Sequence, residues 1–398
     1  MYTPTVSVII NTYNRGAHLK RLLDALSRQT YDNFEVIVVN GPSTDNTKEI
    51  IKQYRRAIRT AKCPITNLSV SRNIGVHKAA GEIIAFIDDD AIPQDTKWIE
   101  TAVPYFDDEK VRIVSGTVYR LGGDINFQYG WFDIWGKNIG VQDNPVIYDD
   151  PQGERFSCGQ GCNVFFRKKV ITEAGGFDEY FAYYLDESDL GMRIIQNGYS
   201  CRYGEHMAVV HETAPGPYRK AEFHENWYVI GRSHGYFVLK ATENTNKTRE
   251  EREETARQFI GPITNDFIWW RDHQLISEEE YDELTAAIKN GIEQGIRDAE
   301  NKERQLDHSI RPGRSTIKKY DKTISSEYQS FCIFCESTKE DIPEHIRFLA
   351  KEMIDKGHHL YLIIPGEKTK LELTDGINYC IVKPDHKEGQ NAESCQET

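Results

Sequence analysis

Three consecutive carboxylates, Asp88, Asp89 and Asp90, follow the apolar run Ile83-Ile84-Ala85-Phe86-Ile87 and precede Ala91-Ile92-Pro93. Three acids held this close repel one another. A divalent cation relieves that repulsion, and Mg²⁺ or Mn²⁺ prefers such oxygen donors and can in turn hold a diphosphate. The plainer reading is a strand followed by an acidic turn that caps the next helix. A second acidic group, Asp186-Glu187-Ser188-Asp189, raises the proton affinity of at least one of its members by mutual repulsion. Acids there are also simply favourable to the dipole at a helix start.

The elements that must position these groups read in order along the chain. Val6-Ser7-Val8-Ile9-Ile10 is a strand, Asn11–Gly16 a polar loop, and Leu19, Leu22, Leu23 and Leu26 fall at helical spacing. Phe34–Val39 is a second strand, and Asn40-Gly41-Pro42-Ser43-Thr44-Asp45 combines turn formers with helix caps ahead of the helix carrying Ile50 and Ile51. A third strand is expected near Ile65–Val70, then a helix over Ser71–Gly81 leading into the acid-tipped strand. Alternating strands and helices predict a parallel sheet with right-handed crossovers, so the loops after Ile10, Val39 and Ile87 open onto one edge. Ligands of open α/β sheets bind at that carboxyl edge.

Val6–Arg15, Ser43-Thr44-Asp45, Arg72-Asn73 with Ala80-Gly81, and Asp88–Asp90 together resemble the nucleotide-binding half of family 2 glycosyltransferases. The resemblance continues through Gly159-Gln160-Gly161-Cys162-Asn163, Phe166-Arg167, Gly175–Glu179 and Asp186–Arg193, and covers about the first 240 residues. It implies the GT-A fold, an α/β domain around a mostly parallel sheet flanked by helices, and an inverting, metal-dependent transfer of sugar from a nucleotide-diphosphate donor to a glycan or lipid-linked hydroxyl. Carried onto this chain, it places Thr12, Tyr13, Asn14, Arg15, Asn40, Asp45, Arg72, Asn73, Asp88, Asp89 and Gly161 at the nucleotide-sugar. Asp90 becomes the direct ligand of Mn²⁺ or Mg²⁺, with His211 approaching the metal or diphosphate, although a histidine at a strand end is equally often structural. Glu187 becomes the base that takes the acceptor proton, with Asp189 beside it in the catalytic motif. One departure stands out: where the family often has two acids after its second strand, this chain has Asn40 and Gly41.

Arg219 and Lys220 follow Pro215-Gly216-Pro217, either as a lid whose cations close on the diphosphate or as a solvated basic patch. Phe127, Tyr129, Trp131, Phe132 and Trp135 form an aromatic segment that suits a sugar or lipid-linked acceptor, or a packed loop.

At 398 residues, 39% hydrophobic and 28% charged, the chain has the composition of a soluble globular protein of two or three domains. Its net charge of −13 argues against nucleic-acid binding. With no signal peptide and no apolar spanning run, the expected location is cytoplasmic, with peripheral membrane association and homo-oligomerisation open. The eight cysteines are scattered, as reduced thiols are, and Cys332 and Cys335 read as core residues of a strand.

Residues 241–325 are expected to be a charged helical extension and connector. Ser277 and Glu280 form a capping box, and Tyr281, Leu284, Ile288, Ile292 and Ile296 share one apolar face. Residues 326–398 then read as a partial Rossmann-like segment, with strands at 331–334, 360–366 and 377–382 and a helix at 343–356. This segment resembles the opening of a GT-B type domain and suggests one part of a larger bifunctional enzyme. Two other readings compete: a catalytically inactive nucleotide- or glycan-binding module, and a phosphatase using Asp88-x-Asp90 as nucleophile and acid, for which Ile92 stands where Thr or Val is usual.

Overall fold

The computed structural model describes residues 2–220, 225–306 and 316–323, and beyond them 330–334, 342–344, 346–347, 350, 359–365, 370–374 and 377–382. The chain divides into two units, Met1–Arg120 with Asp124–Ser326, and Leu121–Gly123 with Glu327–Thr398.

The first unit is built on a nine-stranded sheet. Strands β1 (Val6–Thr12), β2 (Phe34–Asn40), β3 (Arg59–Lys62) and β4 (Ile83–Phe86) run parallel in the spatial order β3-β2-β1-β4, connected by α1 (Gly16–Ser27), α2 (Thr47–Gln53) and α3 (Leu68–Lys78). Every residue of β2 and β4 is buried, as their largely apolar runs require of strands covered on both faces. The register sets Thr12 beside Asn40 and Ile9 beside Phe86, so the loops after β1, β2 and β4 share one edge, as the sequence predicts.

The expected strand at 65–70 is not formed. Asn67 caps a helix there, its side chain accepting a hydrogen bond from the Val70 N–H, and the third strand lies earlier, at Arg59–Lys62. A capped start outweighs the strand preference of a short apolar run, because the first helical N–H groups otherwise lack partners.

Beyond the acids, β5 (Ala91–Pro93), α4 (Trp98–Ala102) and β6 (Val111–Arg120) are followed by the short strands β7 (Ile125–Phe127), β8 (Trp131–Asp133), β9 (Asn138–Ile139) and β10 (Arg155–Ser157). Then come β11 (Val164–Arg167), α5 (Lys168–Glu173), α6 (Asp186–Gln196) and β12 (Ser200–His211). The sheet extends from β4 through antiparallel β11 to β6, β12 and β5. Pairing of β12 with β5 aligns His211 with Ala91, and this register brings a residue from far along the chain beside the acidic triplet. Asn163 secures the alignment: its amide donates to the carbonyls of Thr117 and Met207, while its oxygen accepts from the Trp98 indole.

The helical extension forms as α7 (Trp227–Ala241), α8 (Arg249–Gln258), α9 (Ile260–Asp272) and α10 (Glu278–Asn301), the last opening with the expected Ser277–Glu280 capping box. Ile288, Ile292 and Ile296 are buried against α7. The two helices meet backbone to backbone. A Cβ added at Gly291 or Gly295 would lie 2.2 Å from the carbonyl oxygens of Tyr228 and Arg232, and one at Gly231 or Gly235 would lie 2.5 Å from those of Ile288 and Ile292. Gly295→Ala should therefore destabilise the protein by about 1–3 kcal/mol through overpacking, despite the roughly 1 kcal/mol by which alanine is the better helix former. A urea midpoint equal to or above the parent's would contradict this close contact.

His234 on α7 is fully buried, stacked on Phe259 at 3.6 Å, and neither ring nitrogen meets a protein hydrogen-bond partner. Burial pushes its pKa down to about 3. Between the ordinary histidine value and that figure the unfolded chain binds the extra proton, so stability is present at neutral pH and falls as pH drops. His234→Phe, which keeps the stack, should remove up to about 1.4 kcal/mol per pH unit from the decline below pH 6.5. Equal pH slopes of the urea midpoint in both proteins would show that His234 is not the sensitive group.

Residues 316–323 return to the sheet, where the buried Tyr320 donates its N–H to the Phe34 carbonyl and its hydroxyl to that of Leu23.

The second unit contains β13 (Ser330–Phe334), β14 (His359–Pro365), β15 (Lys370–Thr374) and β16 (Ile377–Val382) in the order β13-β14-β16-β15. The first three in that order are parallel, and β15, which the sequence reading did not anticipate, forms an antiparallel hairpin with β16. Most of the helix expected at 343–356, and the side chains of Cys332 and Cys335, lie outside the described residues.

Candidate active site

A cavity of about 420 Å³ opens at the carboxyl edge of the first unit's sheet, with Thr12, Tyr13, Arg15, Arg72, the three aspartates, Gly161, Glu187 and His211 on its walls. The predicted acids of residues 88–90 and 187 are thus brought to one space from loops after β4 and the start of α6.

The three aspartates are not equivalent. Asp90 is 1% exposed: its Oδ1 lies 3.2 Å from His211 Nε2, and its Oδ2 accepts from the Ala214 N–H at 2.7 Å and pairs with Arg15 at 3.0 Å. Burial opposes its charge, but His211, Arg15 and the Ala214 amide hold its pKa below the usual range. Asp89 also pairs with Arg15, at 2.9 Å, yet burial dominates and pushes it up to about 6. Asp88 is the acid with a free face; its side chain is 31% exposed, with His211 4.0 Å away. Burial raises its pKa too.

Arg15 does more than face the cavity. Its Nε donates to the Pro215 carbonyl at 2.9 Å and its Nη2 to that of Ala214, so one guanidinium ties the loop after β1 and the acids to the Pro215–Pro217 segment. In that segment Tyr218 stacks on Tyr183 at 5.4 Å, and Arg219 lines the cavity. Lys220 is exposed and is absent from the cavity wall.

On the opposite wall, α6 begins with Asp186 and Glu187. Tyr184 and Leu185 before it have φ of 72° and 66°, two successive left-handed residues that cost about 1–3 kcal/mol each. This tight reversal aims the two acids at a single buried cation, Arg72, which pairs with Asp186 and lies 3.6 Å from Glu187. One cation faces two carboxylates, Asp186 buried and Glu187 with its side chain 22% exposed, and the two share a proton. Burial places it on Asp186, whose pKa rises well above the usual range. Burial also acts on Glu187, but Arg72, the hydrogen bond from Asp186 and the Gly161 N–H hold it low and ionised. The repulsion expected from the sequence is therefore resolved by division of roles.

Several predicted site residues have other partners. Asp189 is not in the cavity. It is fully buried and paired with Arg193 and Arg304, because the helical turn from Glu187 carries it to the opposite face of α6. Asn73 donates to the Phe177 carbonyl and to Glu179, and accepts from the Phe177 N–H. Asn14 accepts from the Thr44 N–H, Asp45 from the N–H groups of Gly16 and Thr47, and Asn40 from the Ser43 hydroxyl. These four shape the loops around the site and are absent from the cavity wall.

The sequence reading missed Cys162. Its thiol, with one donor atom each from Asp88 and His211, belongs to a group whose atoms all lie within 4.8 Å of one another. A divalent ion bonded at about 2.0–2.3 Å to each fits that spacing after small side-chain adjustments. The signal was present, since Cys162 follows Gly161 in the motif already singled out. Asn126, Phe127 and Asn138, from the aromatic segment and its continuation, also line the cavity.

Residues 7–173 match the sequence signature of the family described as Glycosyl transferase family 2. Glycosyltransferase AglE of Haloferax volcanii is 28% identical over 232 residues, 55% of this chain and 71% of that protein. Glycosyltransferase GlyA of Streptococcus pneumoniae is 32% identical over 151 residues, 36% of this chain and 21% of its own length. The O-antigen biosynthesis protein RfbC of Myxococcus xanthus is 27% identical over 208 residues, 49% of this chain and 16% of its own. The chain thus spans most of the first relative and about a fifth or less of the other two. Among solved structures, the mannosyltransferase PcManGT of Pyrobaculum calidifontis, in complex with GDP-Man and Mn²⁺, aligns with a TM-score of 0.45 at 16% identity, over 76% of this chain and 89% of that one. No helix among the described residues is long and apolar enough to cross a membrane.

Proposed function

We propose, for a chain that carries a glycosyltransferase family 2 domain at residues 7–173 and is on that ground a glycosyltransferase, that it transfers a sugar from a nucleotide-diphosphate donor to a glycan or lipid-linked hydroxyl with inversion at the anomeric carbon. The observation that carries this reading is the pairing of two oppositely tuned walls in one cavity. An acid cluster suited to a divalent cation faces Arg15 and Arg219, and an ionised Glu187 stands across from it.

The nucleotide lies along the edge formed by Thr12, Tyr13 and Gly41, and the diphosphate falls between the aspartates and the two arginines. Asp88, His211 and Cys162, with Asp90 adjoining, would hold the ion, which when bound offsets negative charge on the departing diphosphate. Arg15 and Arg219 present fixed positive charge to the same group. Glu187 takes the proton of the acceptor hydroxyl as that oxygen attacks, and a single carboxylate serving a direct displacement gives inversion. Arg72 and Asp186 hold Glu187 oriented and ionised. Asn126, Phe127 and Asn138 supply amide edges and an aromatic face suited to a sugar acceptor. The work of such an enzyme is polysaccharide or cell-surface glycan synthesis. Four strands, three of them successive parallel neighbours, support a further reading of residues 326–398 as a Rossmann-like segment of GT-B type.

The test is to incubate the protein and Mn²⁺ with a panel of nucleotide-sugars and simple glycosides and to read product configuration by proton NMR. Transfer with the anomeric configuration opposite to the donor's supports the proposal. Retention, or turnover only of phosphate esters, would overturn it.

A further inference from the structure

We propose that the Cys162 thiol is a direct ligand of the ion in this cavity, together with His211 and Asp88, and that the site therefore takes a later divalent transition ion such as Zn²⁺ or Co²⁺ in preference to Mg²⁺. The coordination stands on the local geometry. Its place beside the diphosphate rests on the reading given under Proposed function.

The three donor atoms come from separate parts of the fold: the loop after β4, the turn before β11 and the end of β12. They converge within 4.8 Å because β12 pairs with β5 and because Asn163, next to Cys162, is bonded to Thr117 and Met207. Cys162 is buried and forms no disulfide, yet it belongs to the cavity wall and its thiol faces His211. A cysteine that only filled space would not need its sulfur beside an imidazole and a carboxylate.

Arg15 holds Asp89 and the Oδ2 of Asp90, which also takes the Ala214 amide, while the Oδ1 of Asp90 faces His211 at 3.2 Å and Asp88 keeps an open face. An ion bound there meets carboxylate oxygen together with one imidazole nitrogen and one sulfur. Mg²⁺ seeks octahedral oxygen donors, whereas imidazole and thiolate favour the later first-row ions. Binding replaces the S–H bond with a metal–sulfur bond and releases the proton to solvent.

The probe is Co²⁺ titrated into the full chain and followed by ultraviolet–visible absorption. A near-ultraviolet sulfur-to-cobalt charge-transfer band is expected in the parent and is expected to be lost in Cys162→Ser. The serine variant should also bind Zn²⁺ at least about tenfold more weakly, since removing even a group that only orients a ligand costs 10- to 100-fold, with Mg²⁺ binding unchanged. Asp88→Asn, which leaves the thiol in place, should weaken Co²⁺ binding comparably. It keeps the test open if the serine variant fails to fold.

Co²⁺ bound without the band, no Co²⁺ binding at all, or tighter binding of Mg²⁺ than of Zn²⁺ would each overturn the inference. A band without binding of any nucleoside diphosphate would leave the thiol ligand standing and remove the donor-site reading. Mg²⁺-dependent nucleotide binding without a band would do the reverse.

Discussion

Glu187→Gln is expected to lower kcat by about 10²–10⁴, the range that a positioned general base contributes, while donor affinity stays within a factor of a few. The amide keeps the size of the carboxylate and can still accept a hydrogen bond from the Gly161 N–H, which lies 3.3 Å from Glu187 Oε1. It cannot take a proton. The arrangement around it makes the effect specific: Asp186 carries the shared proton and Arg72 keeps Glu187 ionised, so the base is ready at neutral pH without a prior deprotonation. Steady-state kinetics with the donor identified by the NMR panel would separate the two possibilities. A fall in kcat with KM nearly unchanged assigns proton removal to Glu187, whereas a rise in KM alone would make it a binding residue.

Arg72→Met should cost the fold about 3–5 kcal/mol, the penalty for leaving buried charge without its partner. The guanidinium is enclosed by Phe86 and Phe177 at 5.7 and 5.4 Å and is the cation facing both Asp186 and Glu187. Methionine restores the bulk but not the charge. If the loss is electrostatic, adding Glu187→Gln to Arg72→Met should recover a large part of it, because the ionised acid that Arg72 faces is gone. A urea midpoint near the parent's in the single variant would mean that the two acids do not depend on Arg72.

Much of the first unit was legible because its signals are local. The apolar runs at 6–10, 34–39 and 83–87 could only be buried strands, and the polar stretches after them had to meet at one edge. The strand expected at 65–70 failed because Asn67 was a helix cap, a role visible only once its side chain is seen accepting from Val70. The acids that line the cavity stand out in the sequence by type and spacing, but their different partners do not. Nothing in Asp88-Asp89-Asp90 says that Arg15 would hold the last two, since that depends on how the loop after β1 meets Ala214 and Pro215. Asp189 was misplaced because motif membership ignores helical phase, which sends it toward Arg193 and Arg304. Cys162 was overlooked because a thiol was sought in pairs, while its partners come from the ends of two distant strands. The glycines of α7 and α10 were passed over as well. Their spacing of four on each helix was available, but only contact between the helices gives that spacing its meaning.

The most direct test of the central claim is calorimetric titration of UDP, GDP, dTDP and CDP into the full chain, with and without Mn²⁺, repeated on Asp90→Ala and Asp88→Asn. The account predicts that one nucleoside diphosphate binds selectively, that binding needs the ion, and that both substitutions abolish the ion-dependent part. Failure of all four to bind, or binding indifferent to the ion and to both aspartates, would contradict it.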